Sequence, residues 1–98
     1  MSTEILPTIA VEDTARFLRC LGHPVRLQIL DLLEQGGECT VTEVYEALGL
    51  EQAVASQHLT VMRDKGILKR RKDGVHVYYR LGDDRALKVL DCVRHGNC

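Results

Sequence analysis

Residues 51–81 constrain the chain most. Residues 51–65 (EQAVASQHLTVMRDK) have the make-up of a compact polar helix that ends at Gly66. Residues 67–81 (ILKRRKDGVHVYYRL) then read as two strands folded about Asp73-Gly74. Asp-Gly between strand-like runs marks a tight hairpin, because both central positions of a type I′ turn need φ > 0. Six of the ten residues 63–72 are Lys or Arg, opposed only by Asp64. A helix followed by a basic hairpin has the outline of a winged helix, and such a face suits the phosphates of double-stranded DNA.

The charge is local, since the chain as a whole carries net −1. Acidic residues collect at 12–13, 31–51 and 83–91. Aromatics make up only 4% with no Trp, so the core must be aliphatic. A chain of 98 residues suits one domain, and a domain so small gains from dimerising. No apolar run approaches the ~18–20 residues of a membrane span, so no membrane partner is expected. The start, MSTEILPTIA, lacks the basic, apolar pattern of a signal peptide, which makes the cytoplasm the default location. The four cysteines are then expected as reduced thiols.

Residues 1–8 read as a flexible tail and residues 9–98 as one domain. A first helix is expected over 9–21, where Val11, Ala15, Leu18 and Leu21 recur at helical spacing. His23-Pro24 opens a second helix, with Pro at its favoured first position, and Gly36-Gly37 ends it. Thr40 and Glu43 have capping-box spacing and start a third helix through Val44, Tyr45 and Leu48. Gly49-Leu50 turns into the polar fourth helix, which makes a helix-turn-helix. There Val54, Leu59 and Met62 are expected to face inward. Asp83 caps a last helix that ends near Gly96. The expected class is mainly α with a β-hairpin wing (α+β), in the order ααααββα.

On a helix in the major groove, Gln pairs with adenine, Ser bonds either way and an Ala methyl meets a thymine methyl. Gln52, Ala53, Ser56 and Gln57 fit those roles, with Thr60 and Arg63 beside them on the outer face. Arg70, Arg71 and Lys72 read as phosphate contacts that give affinity and register. His76 on the returning strand either touches phosphate or faces solvent. No Cys-x-x-Cys or other catalytic pattern is present, so no enzyme is expected.

Three segments, LGHPVRLQILDLL (21–33), VTEVYEALGLEQAVASQHLTVMRDKGIL (41–68) and DGVHVYYRL (73–81), resemble the ArsR/SmtB family of bacterial winged-helix repressors. The resemblance spans residues 10–95. It implies a homodimer packed through the first and last helices, bound to an inverted-repeat operator and released by a ligand or by thiol modification. His58 belongs to the family motif and joins the DNA-binding set on that ground. Glu51 stands where the family often has a Ser or Thr cap, and Lys65 where Ala is usual.

The inducer has to be argued from this chain's own ligands. Family zinc sites on the last helix use carboxylates and His, but Arg85 stands about where the first His is expected. The family's Cys-x-Cys at the third helix is reduced here to Cys39, and Asp31 stands where redox-sensing relatives carry a second-helix Cys. What remains is Cys20, Cys39, Cys92 and Cys98 as sensor thiols. Cys92, His95 and Cys98 form a local soft-ligand set for a thiophilic metal or metalloid ion as inducer, with no cofactor required. Buried, inert cysteines are the alternative. A winged-helix module for protein partners is the other.

Overall fold

The computed structural model describes residues 4–96. In chain order its elements are α1 (Thr8–Leu21), α2 (Pro24–Gly36), β1 (Cys39–Thr40), α3 (Val41–Leu48), α4 (Gln52–Asp64), β2 (Leu68–Asp73), β3 (His76–Leu81) and α5 (Arg85–His95). The tail expected over 1–8 ends one residue early, because Thr8 already lies in α1. Met1–Thr3 fall outside the described residues, as do Asn97 and Cys98.

Helix α2 is the centre of the core. Ile29, Leu30 and Leu33 recur at its buried face and are 0–1% exposed. Its start is set locally: Pro24 needs no N–H partner there, and His23 Nδ1 accepts a hydrogen bond from the Val25 N–H at 3.2 Å. Around α2 pack Phe17 and Leu21 of α1, Val44 of α3, Leu59 and Met62 of α4, and Leu90 of α5. The capping box at α3 is complete. Thr40 Oγ accepts from Glu43 N at 3.1 Å, and Glu43 Oε1 accepts from Thr40 N at 2.9 Å. The N-cap of α5 is Asp84, one residue after the expected Asp83, and its side chain makes no capping hydrogen bond; the Asp83 carboxylate instead takes the Arg85 N–H at 2.9 Å.

The structure departs from the sequence reading in three places. In α4 the inward residues are Ala55, Leu59 and Met62, all 0% exposed, whereas Val54 is 36% exposed. The spacing i, i+4, i+7 explains it, since Val54 lies a further 100° around the helix. Strand β1 was not expected. It pairs Cys39 with Tyr79 and Thr40 with Tyr78, giving an antiparallel sheet in the order β1-β3-β2.

The hairpin turn also lies one residue late. Asp73 pairs with His76, so the central residues are Gly74 and Val75. Only Gly74 has positive φ, at 61°, the sign pattern of a type II′ turn. Asp73-Gly74 suggested type I′ centred on that pair, but β-branched Val75 resists positive φ and fits the second II′ position. At the other end of the hairpin, Gly82 donates its N–H to the Ile67 carbonyl at 2.8 Å. A Cβ there would come within 2.8 Å of Lys69 Cγ and 3.2 Å of the Leu68 carbonyl carbon, so glycine permits the close crossing.

Candidate nucleic-acid interface

Helices α3 and α4 are joined by the three residues 49–51, with the Leu50 N–H returning to the Tyr45 carbonyl at 2.9 Å. That turn projects α4 from the body. Gln52, Ala53, Gln57 and Thr60 are exposed, while Ser56 and Arg63 are half-buried. Exposed Val54 adds an apolar methyl surface beside Ala53, a contact type suited to thymine methyls. The residues expected to read bases thus share the outer face of one helix, and Val54 joins them.

His58 points elsewhere. Its Nδ1 accepts a hydrogen bond from Arg26 Nε at 3.1 Å, and its ring stands 4.6 Å from that of His23. Burial, with the His23 ring and the Arg26 guanidinium beside it, pushes the His58 pKa below its ordinary value. It therefore joins α4 to the start of α2 as a neutral acceptor. Arg26 also donates to the Cys20 carbonyl at 2.9 Å and lies 3.6 Å from Cys20 Sγ. Sequence reasoning missed Arg26, although it sits inside the quoted segment LGHPVRLQILDLL.

The wing divides its charges between two faces. Opposed residues of an antiparallel pair share a face, and successive residues alternate. Arg70 and Lys72 therefore stand with Tyr79 and Val77, and Lys69 and Arg71 with Arg80 and Tyr78. Arg71 is already engaged. Its guanidinium makes a two-pronged pair with Glu38 at 3.0 and 3.1 Å and lies 4.6 Å over the Tyr78 ring. The same pair holds the Glu38 carboxyl below its usual range. Arg70 and Lys72 are exposed on the opposite face. His76 is exposed and 6.2 Å from the Tyr78 ring.

The cysteines separate by environment. Cys20 and Cys39 are free thiols but only 7% and 6% exposed. Strand β1 seats Cys39 against Gly36, and desolvation pushes its thiol pKa up. Cys92, expected as a reduced thiol, is instead disulfide-bonded, half-buried on α5. His95 Nδ1 is 2.8 Å from Asp91 Oδ1. Among the described residues no three His, Cys, Asp or Glu side chains gather as a metal site, and Cys98 lies outside them.

Known proteins share this arrangement. The helix-turn-helix domain family matches residues 21–71. The transcriptional repressor PagR of Bacillus anthracis is 36% identical over 82 residues, covering 84% of this chain and 82% of that protein. Its crystal structure gives a TM-score of 0.82 at 32% identity, covering 89% of this chain and 99% of that one. A probable mercury resistance operon repressor of Streptomyces lividans is 36% identical over 98 residues, covering 100% of this chain and 75% of that protein. A homodimeric winged helix-turn-helix DNA-binding domain from Mycobacterium bovis, Mb0332, gives a TM-score of 0.76 at 30% identity. It covers 96% of this chain and 87% of that one.

Proposed function

Because the chain belongs to the ArsR/SmtB family of winged-helix transcriptional repressors, we propose that it represses transcription as a homodimer on an inverted-repeat operator and releases it on a change of thiol state. The observation that carries the DNA half is the outer face of α4, where Gln52, Ala53, Val54, Gln57 and Thr60 stand exposed beside the basic wing. Dimerisation is supported by exposed apolar side chains on the two helices expected to pair. Val11 and Leu18 of α1 are 46% and 51% exposed, and Leu87 and Val93 of α5 are 41% and 59% exposed. Among the described residues no helix is long and apolar enough to cross a membrane. The cytoplasm, where DNA is, suits this reading.

For the sensing half, Cys20 and Cys39 are buried, and the raised pKa of Cys39 makes it a poor nucleophile. Cys92 is the better candidate, because it sits on a helix expected to dimerise. Forming its disulfide takes two electrons and two protons from a pair of thiols, and a peroxide accepts both and leaves as water. The test is titration of DNA from the protein's own upstream region with reduced and with peroxide-treated protein. Tight binding of the reduced form and release on oxidation, reversed by a dithiol, is the expected result. Release by a thiophilic metal ion without covalent change would replace the redox switch with a ligand set, and equal affinity of both forms would remove thiol sensing.

A further inference from the structure

A second cationic site lies away from the outer face of α4. Arg16 and Arg19 of α1, Arg26 of α2 and Lys65 after α4 line one cleft of about 380 Å³ with Cys20 and Val61. Among the described residues no carboxylate lines it. Among the described residues Arg19, Arg26 and Lys65 form no ion pair, and Arg16 has only a loose contact with Asp13 at 3.9 Å between two exposed side chains. Asp13 and Asp64 line a neighbouring cleft, with Arg16 and Lys65 shared between the two.

Four cations line one cleft while Asp13 and Asp64 line only the neighbouring one, which is notable in a chain of net charge −1. The geometry also fixes one of them in place. Arg26 is tethered through Nε to His58 and through one terminal nitrogen to the Cys20 carbonyl, so its other terminal nitrogen keeps its donors unspent. Those two N–H groups, held in a fixed direction, can donate to an anion's oxygens. At about 30 Å³ per water, the cleft has room for a phosphoryl group with part of its hydration shell.

We propose that this cleft is an oxyanion site that takes a phosphoryl group. Its source is either the backbone of bound DNA, an arm that rests on the operator reading above, or a free phosphate-bearing solute.

The test uses full-length protein and two single variants, Arg19→Gln and Lys65→Gln. Both side chains are exposed, and a thermal melt matching that of the parent confirms the fold. One arm measures operator affinity against chloride concentration. The other follows the Arg Nε–H signals of the free protein by NMR during titration with inorganic phosphate, against chloride at equal ionic strength. If the backbone fills the cleft, each variant lowers the slope of log affinity against log salt by about 0.9 per subunit, about 1.8 for the dimer. If a free solute fills it, the slope is unchanged, phosphate gives saturable shifts at Arg19 and Arg26, and either variant weakens them. Unchanged slopes together with shifts no larger than chloride produces would overturn the site. Failure of the parent protein to bind any DNA would count against the operator reading, and the phosphate titration would then decide the cleft alone.

Discussion

Arg94 of α5 pairs with Asp31 of α2, and the same guanidinium also pairs with Glu34 one turn along. The contact sits at the mouth of an apolar cleft of about 300 Å³ between the two helices, lined also by Leu27, Leu90 and Val93. Asp31 is the position where resemblance placed a cysteine in redox-sensing relatives. In this chain an ion pair joins α2 to α5 there. Arg94→Gln should loosen α5 alone: its amides should exchange faster with solvent while those of α4 keep their protection. Equal exchange of the α5 amides in the variant and the parent would mean that Leu90 packing alone holds the helix.

Gln57 lies on the exposed face of α4. Gln57→Ala should cost about 1–3 kcal/mol on the preferred operator, the range of a good base contact, and much less on random DNA. Competition binding against both DNAs measures the difference. Equal losses would move Gln57 from base reading to backbone contact.

The wing should respond unequally to its two basic faces. Lys72→Ala should lower the salt slope of DNA binding by about 1 per subunit, about 2 for the dimer, as expected when each wing loses one phosphate contact. Glu38→Gln should act in the opposite direction by releasing Arg71 from its carboxylate partner, and so raise affinity and slope together. A salt titration of the two variants beside the parent reads both effects, and a flat response to Glu38→Gln would show that Arg71 stays on Tyr78.

Two apolar residues of α4 separate stability from binding. Leu59 is 0% exposed, so Leu59→Ala should cost about 2–5 kcal/mol of stability by denaturant unfolding. Val54→Ala should leave the unfolding midpoint nearly unchanged and weaken operator binding. A large stability loss at Val54 would return it to the inward set.

His58 should make the protein sensitive to mild acid. Its folded pKa lies below the ordinary 6.5, so in the window beneath 6.5 the unfolded chain binds more protons than the native one. The contribution is therefore complete above 6.5 and is lost as pH falls through the folded value. Unfolding midpoints measured from pH 7.5 to 5 should fall in the parent and fall less in His58→Gln. Parallel curves would free His58 of this role.

Much of the fold was legible because local rules and the global arrangement agree. Pro24, the Thr40–Glu43 box, Gly66 and Asp83 each mark an element boundary by a mechanism that acts within a few residues. What escaped depends on partners distant in sequence. Strand β1 is only Cys39–Thr40, too short to show a period, and exists because β3 offers it backbone partners. The Arg71–Glu38 pair joins residues 33 apart. Val54 and Ala55 are adjacent, and only the exact helix phase tells which is buried. The outward placement of Gln52, Ala53, Gln57 and Thr60 followed from helix phase. The setting of His58 did not, because it is made by Arg26 and His23, more than thirty residues away.

The pairing of Cys39–Thr40 with Tyr78–Tyr79 has a mechanical consequence. Thr40 is both the cap of α3 and a rung of the sheet, and Glu38 just before it grips Arg71 on the wing. The helix-turn-helix and the hairpin are therefore laced into a single reading head, with no hinge between base-reading helix and wing. In a two-headed repressor built this way, an inducer has little to gain by bending one head. On the proposed dimeric reading, its leverage would lie in the distance and angle between the two heads.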